Sequence, residues 1–359
     1  LSISFANDLL QFLTIYIKIF MIPINSNTAV QEEFIILKEV YKNIHQLFIP
    51  FTNHSKDGIF VYLIKGKERN LLIDTALNAD RCELDLRAQL KGLNVDLDET
   101  DILLTHMHVD HSGLIGRLKN DNNIVYAGAK DKIYIDGYLE PPDQWPWLLP
   151  NNTWTGTPVE LHARPNDHIA CKYRPTGRIE VQPVDYGQVL KYDDYSFEII
   201  DLAGHSAAHI GLWDKESGIL FSGDHVLSDS FPNITTWNLN EDFFQYYLDN
   251  LTKLNNMQIN HLFTAHDNPI DNIGLRIDSA ITHYKNRLEH VKDALSKAAR
   301  PMTAFEVSAE LKRHVSLAEV PPGTRWFICS DTLAYLQHLV LCGAASVSDC
   351  GGVRSFELI

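Results

Sequence analysis

Runs of β-branched and aliphatic residues bounded by turn formers open the readable part of the chain: Ile59–Gly66 (IFVYLIKG), a turn at Gly66-Lys67, then Asn70–Leu77 (NLLIDTAL). This predicts a hairpin or a neighbouring pair of strands. Arg81–Gly92 places Leu84, Leu86 and Leu90 near helical spacing and ends on glycine, and DILLTH (101–106) resumes a strand. The alternation continues with GLIGRLKN (113–120) as a helix and NIVYAG (123–128) as a strand. YSFEIIDLAGH (195–205), HIGLWDKESGILFSGD (209–224) and HLFTAHD (261–267) read as strands that end in polar clusters. Strands and helices alternating in this way predict a layered α/β architecture.

Three stretches depart from that rhythm. Residues 137–185 are rich in Pro and Trp (PPDQWPWLLPNNTWTGTP), and a loop of that length inside a compact domain usually serves function. From 280 onward the pattern becomes three amphipathic helices (RLEHVKDALSKA, TAFEVSAELKRH, DTLAYLQHLVLCG) followed by a hairpin turning at Gly351-Gly352. That is the outline of a winged helix-turn-helix. The third stretch, Leu9–Ile24, is nearly apolar, but Lys18 interrupts it and it falls short of the roughly 20 residues a membrane-spanning helix needs. Residues 1–24 are therefore expected to stand outside the fold, with Met21 as the natural start. The expected domains are 30–279, with 137–185 as an insertion, and 280–359.

Composition narrows the function. With 359 residues, 45% hydrophobic and 21% charged, the chain holds one large domain or two unequal ones. Its formal charge of −15 argues against a nucleic-acid coat protein. The C-terminal module is no exception, since nine Lys/Arg from Ala280 onward face eight Asp/Glu. Five cysteines without a CxxC pair give neither a disulfide framework nor a thiolate cage, and are expected to be reduced thiols of a cytoplasmic protein.

The chemistry concentrates in Thr105-His106-Met107-His108-Val109-Asp110-His111, directly after a predicted strand. Strand ends are where α/β sheets carry ligand sites. A tight turn there can aim His106 and His108 at one metal ion and Asp110 and His111 at another, and imidazole with carboxylate suits Zn, Fe or Mn. Further donors stand at the ends of later strands: His205 in LAGHS, Asp224 in FSGDH and His266 in TAHD.

This order, HxHxDH followed by His, Asp and His, resembles the metallo-β-lactamase superfamily, over roughly Phe51 to Pro269. The resemblance implies an αββα sandwich, here with a small C-terminal winged-helix domain like that of lactamase-beta-like members. It implies that His106, His108 and His205 hold one metal, that Asp110, His111 and His266 hold a second, and that Asp224 bridges them. Two divalent ions about 3.5–4 Å apart would provide a bridging hydroxide at neutral pH, with Asp110 as the catalytic residue that orients it or handles its proton. Asp74 matches the acidic residue that supports a ligand in this family. The usual glycine two residues later is Ala76 here, so that turn is expected to differ in detail.

His225 follows Asp224 in a GDH form associated with glyoxalase II-like and lactamase-beta-like members and is read as a support beside the metals. His209, in GHSAAHIGL, flanks a ligand without being expected to bind metal. Trp145, Trp147 and Trp154 are read as an apolar lid, and the segment 230–237 with Trp237 as a wall of the substrate cleft. The expected activity is hydrolysis of a small thioester, ester or lactone by two divalent ions, Zn first among them. The expected partner is a small molecule rather than nucleic acid or a membrane, and any assembly is expected to be a homodimer. A single-strand endoribonuclease of the lactamase-beta-like type is the alternative, followed by a mononuclear iron dioxygenase. A metal-stabilised binding protein would require eroded ligand positions, and all are occupied.

Overall fold

The computed structural model describes residues 17–20 and 35–359, apart from 52–56, 146 and 178. Two sheets form its centre. The larger runs in chain order through β1 (Ile17–Phe20), β2 (Ile35–Tyr41), β3 (Ile44–Pro50), β4 (Gly58–Ile64), β5 (Asn70–Ile73), β6 (Thr100–Leu103), β7 (Val125–Gly128) and β8 (Gln182–Val184). It is antiparallel up to β5 and parallel from there on. The second sheet has the order β13-β12-β11-β10-β9, from β9 (Val189–Tyr192), β10 (Tyr195–Asp201), β11 (Ile210–Asp214), β12 (Ile219–Gly223) and β13 (His261–Thr264). In it only β12 and β13 pair in parallel.

The period-2 alternation of β4 explains the layering. Tyr62 and Ile64 point to a core shared with Ile73, Leu103, Phe197, Leu212 and Phe221, which lies between the sheets. Ile59, Val61 and Leu63 point the other way, into a core that includes Cys82, Leu86 and Leu90 of α1 (Asp80–Gly92). On the far side, α7 (Phe243–Asn255) and α8 (Ile273–Ala298) supply Phe244, Tyr247, Leu251 and Tyr284 to that same outer core, together with Leu202 and Leu220. The result is the expected αββα sandwich, with both sheets covered by helices.

Local differences from the sequence reading have physical causes. Instead of one helix over 113–120 there are two single turns, α2 (Val109–Ser112) and α3 (Ile115–Leu118), the first of which carries Asp110 and His111. Of the apolar segment 1–24, Ile17–Phe20 is described, and contrary to the expectation it joins the fold, pairing antiparallel with β2 and occupying that strand's open edge. The rest of that segment lies outside the described residues. The boundary placed at 280 falls inside α8, a continuous helix of 26 residues, so no linker separates the C-terminal unit.

The insertion is not an open loop either. It follows α4 (Ala129–Gly137) and folds into α5 (Leu148–Trp154), α6 (Ile169–Tyr173) and short 3-10 turns. The C-terminal unit adds β14 (Met302–Thr303), α9 (Ala304–Leu311), α10 (Pro322–Leu341), β15 (Ala345–Cys350) and β16 (Val353–Leu358), the last two forming the hairpin predicted at Gly351-Gly352. It clasps the insertion: the Trp326 indole donates to the Leu148 carbonyl at 3.0 Å, and the Arg325 guanidinium donates to the Leu161 carbonyl while also holding the carbonyls of Leu317 and Val320 in its own unit. Among the described residues no helix is long and apolar enough to cross a membrane.

Candidate metal centre

The sheets are sewn together at one end. Ile210 N–H donates to the Thr105 carbonyl, Phe60 N–H to the Ala265 carbonyl, and the Tyr62 hydroxyl to the Thr264 carbonyl at 2.7 Å. This end carries the C-termini of β5, β6, β10, β12 and β13, so Asp74, His106, His205, Asp224 and His266 meet there although up to 192 positions separate them.

Three sets of ligand atoms each lie within 4.8 Å of one another: His106 with His108 and His205, Asp110 with His111 and His266, and His106 with His111 and Asp224. Asp224 stands between the first two. Its Oδ2 is 3.6 Å from His205 Nε2, while its Oδ1 is 3.5 Å from both His111 Nε2 and His266 Nε2. Asp110 Oδ2 lies 3.4 Å from His266 Nε2.

At four of the histidines the other ring nitrogen is already committed, while His108 turns its Nδ1 toward the cluster, 2.9 Å from His106 Nε2. His111 Nδ1 is 2.8 Å from Asp74 Oδ2, His266 Nδ1 is 2.7 Å from the Gly58 carbonyl, and His205 Nδ1 is 2.8 Å from the Asn233 carbonyl. His106 Nδ1 is 3.1 Å from Thr105 Oγ1. A partner on Nδ1 leaves the Nε2 lone pair for an ion. The buried Nε2 atoms of His111 and His205 and the buried Oδ1 of Asp224 have no hydrogen-bond partner, an arrangement that is costly unless a cation satisfies them. The donor set therefore fits divalent ions.

Electrostatics divide the two sets. Burial, reinforced by neighbouring imidazoles, pushes His106 well below the ordinary range and His108 down to about 3, so both are neutral donors. Burial acts in the same direction on His266 and His111, but the carboxylates of Asp224 and Asp110, joined at His111 by Asp74, override it; His266 rises to about 9 and His111 well above its usual value. In the metal-free protein this half of the site attracts positive charge that a divalent ion would supply.

Asp74 has a φ of 63°, and its carboxylate accepts from Thr105 N–H at 2.7 Å and the Thr105 hydroxyl at 2.8 Å besides facing His111. His225 is fully buried, but its ring packs on Tyr247 at 4.4 Å and on His209 at 6.2 Å rather than against a ligand. His209 proves to be the closer support. Its Nε2 accepts from Asp224 N–H at 3.1 Å and its ring stacks on His106 at 4.7 Å.

Trp145 and Trp147 are not cleft walls. Both are 2% exposed and stack on each other within a cluster containing Tyr138, His168 and Trp326, Trp145 packing on Tyr138 and Trp147 on Trp326 of the C-terminal unit. Trp154 likewise packs against the hydrophobic core. Trp237 does adjoin the site, 5.9 Å from the His108 ring, and its indole donates to the His205 carbonyl.

Asp131, in the first turn of α4, escaped sequence reasoning altogether. It is fully buried and accepts from Met107 N–H at 2.9 Å, Ala208 N–H at 2.8 Å and the Ser206 hydroxyl at 2.8 Å, tying the HxHxDH loop to the loop of His205. Its one sequence signal is a carboxylate just after another predicted strand end, NIVYAG. Gly223 is a second missed requirement. Its φ is +49°, and a Cβ there would lie 2.7 Å from both His209 Nε2 and Thr105 Oγ1. Gly223→Ala is expected to destabilise the fold by about 1–3 kcal/mol, the range for a strained backbone position, read as a lower midpoint in thermal denaturation. An unchanged midpoint would show that this turn has slack.

Comparison with known proteins agrees with this geometry. The chain is 26% identical over 272 residues to the probable metallo-hydrolase YqjP of Bacillus subtilis, covering 70% of this chain and 80% of that protein. It is 29% identical over 165 residues to the hydroxyacylglutathione hydrolase GloC of Haemophilus influenzae, covering 45% and 64% respectively. The crystal structure of a metallo-beta-lactamase family protein from Thermus thermophilus superposes with a TM-score of 0.72 at 23% identity, covering 88% of this chain and 99% of that one, which establishes likeness of fold. The Metallo-beta-lactamase superfamily model matches residues 55–294, a span that holds all seven of the candidate ligands, and the chain belongs to that superfamily of metal-dependent hydrolases.

Proposed function

We propose that the protein is a dinuclear metal hydrolase of a small thioester, ester or lactone. The observation that carries this reading is Asp224, whose two carboxylate oxygens face different histidine sets. His106, His108 and His205 would hold one ion, Asp110, His111 and His266 the other, and Asp224 would touch both. When bound, such a pair supplies a water that loses its proton near neutral pH and polarises the oxygen of the scissile group.

The chain's own residues do the rest. Neighbouring His111 and His266 hold the Asp110 carboxyl well below the usual carboxylate range despite its burial, so it is ionised and can orient the attacking water and accept a hydrogen bond from it. Its side chain is 27% exposed against 11% for Asp224, which supports the reading that substrate would approach from its side. Trp237, 4% exposed, packs 5.9 Å from the His108 ring and in edge contact with the half-buried Tyr134 at 5.2 Å, and so backs that ligand with apolar bulk rather than offering open surface. The buried thiols Cys82 and Cys329 are pushed up to about 11 by desolvation and stay protonated at neutral pH, so neither serves as a thiolate nucleophile.

Three supports favour a small acyl substrate: the net charge of −15, the balanced charge of the C-terminal unit, and the similarity to a hydroxyacylglutathione hydrolase. We read β14–β16 with α9 and α10 as a winged helix whose work is packing, since α10 faces the insertion and the loop before α7. The test combines metal content by elemental mass spectrometry with turnover of thioesters, lactones and a labelled single-stranded RNA at two salt concentrations. Two metals per chain are expected, with salt-insensitive acyl hydrolysis that disappears on chelation and returns with metal. Full turnover after chelation, or salt-sensitive RNA cleavage with inert esters, would overturn the reading.

A further inference from the structure

We propose that Asp331 on α10 is a positioning residue for His205, acting through the single peptide plane between Asn233 and Ile234; this rests on the reading of His205 as a metal ligand. The carbonyl of that peptide accepts from His205 Nδ1 at 2.8 Å, and its N–H donates to Asp331 Oδ1 at 3.0 Å. A trans peptide is planar, with its C=O and N–H pointing in opposite directions. Whatever fixes the N–H therefore fixes the direction of the carbonyl.

The site gives water no opportunity to replace Asp331. Ile234 is fully buried, Thr235 and Thr236 are 1% exposed, and Asp331 is 5% exposed. Asp331 is itself held by Arg287 of α8, whose guanidinium lies 2.8 Å from Oδ2 and 5.6 Å from the Tyr335 ring. On either side of the peptide the loop is pinned again: the Tyr284 hydroxyl donates to the Pro232 carbonyl at 2.7 Å, and Thr236 N–H donates to Ser330 Oγ at 3.3 Å. The chain of contacts runs from a cation through a carboxylate and one peptide dipole to the imidazole. Each bond polarises the next.

The chemical consequence is tautomer choice. An acceptor held at Nδ1 keeps the proton there and turns the Nε2 lone pair toward Asp224 and the candidate ion, the role that outer partners of ligating histidines play. Without Asp331 the peptide can rotate and the imidazole loses its fixed acceptor. The C-terminal unit thereby belongs to the working site, although none of its residues reaches the ligand cluster.

The test uses the full-length protein and two readouts. Histidine nitrogen NMR of the metal-free protein reports the His205 tautomer, and competition with a chromophoric chelator reports zinc affinity. Wild type is expected to hold its proton on Nδ1. Asp331→Leu is expected to lose that signal and to weaken one zinc by about tenfold, the lower end of the effect of removing a ligand's outer partner, whereas Asp331→Asn, which keeps an acceptor oxygen, is expected to retain the tautomer. A folded Asp331→Leu protein with an unchanged His205 signal and zinc affinity within about twofold of wild type overturns the proposal. If Asp331→Leu does not fold, Asp331→Ser, polar but too short to reach the peptide, decides on the same readouts. Wild-type protein that binds no zinc would instead sink the metal reading, while the metal-free spectrum still judges the relay.

Discussion

Asp224→Asn is expected to lower acyl hydrolysis by on the order of a thousandfold, the scale of losing one preorganised electrostatic contact at a transition state, and to reduce metal content from two ions per chain to one. An amide offers one oxygen and one NH2 group, and NH2 cannot serve as a cation ligand. Because Oδ2 faces His205 while Oδ1 faces His111 and His266, either orientation of the amide leaves one histidine set without its carboxylate. The fold itself should survive, since the Asp224 backbone N–H still donates to His209 Nε2 and the side chains are nearly isosteric. Elemental analysis and turnover on one preparation check both halves. Retention of two ions with full turnover would remove the shared role from Asp224.

The second large effect is expected at a residue that touches no ion. Asp131→Ala leaves the buried N–H groups of Met107 and Ala208 without acceptors, and each orphaned donor costs about 1–3 kcal/mol. A destabilisation of about 2–6 kcal/mol follows, with looser metal binding because both ligand loops lose their common anchor. Chemical denaturation of the metal-free protein measures it.

The same residue gives a pH signature. Burial raises Asp131 from 3.8 to about 6, so the folded state binds its proton more tightly than the unfolded state does. Its contribution to stability is therefore greatest below the unfolded value and declines as pH rises toward 6. Above that pH the buried charge costs about 3 kcal/mol at 1.36 kcal/mol per unit. Asp131→Asn lacks this dependence, and its single acceptor oxygen cannot serve donors converging on both carboxylate oxygens. The stability gap between wild type and Asp131→Asn is expected to widen on acidification from pH 7 to pH 5. A gap that stays constant, or narrows, would show that the carboxyl does not titrate in that window.

Legibility of the site followed chemical type. His106, His108, Asp110, His111, His205, Asp224 and His266 could be picked out because a metal accepts few residue types, and strands end where the chain's own hydrophobic runs end. Asp74, at the end of NLLI, was picked out through the family resemblance instead. The layers, too, were written in the period-2 runs of β4 and β10 and in the spacing of α1, since a strand or helix with an apolar face has few ways to bury it.

What the sequence by itself determined, then, were the elements, their layering and the donor atoms of the site. Asp74 apart, tertiary structure alone decided which residues stand behind those donors. Asp131, His209 and Asp331 are ordinary polar residues in ordinary positions, and their meaning comes from partners at distances of 15 to 97 positions along the chain. The tryptophans show the converse. Trp145 and Trp147 look like a lid in one dimension, but packing on each other, on Tyr138 and, for Trp147, on Trp326 of the C-terminal unit turns them into core. Hydrogen bonding and burial are properties of contact, and contact across long sequence separation is set by how the layers close rather than by any local pattern.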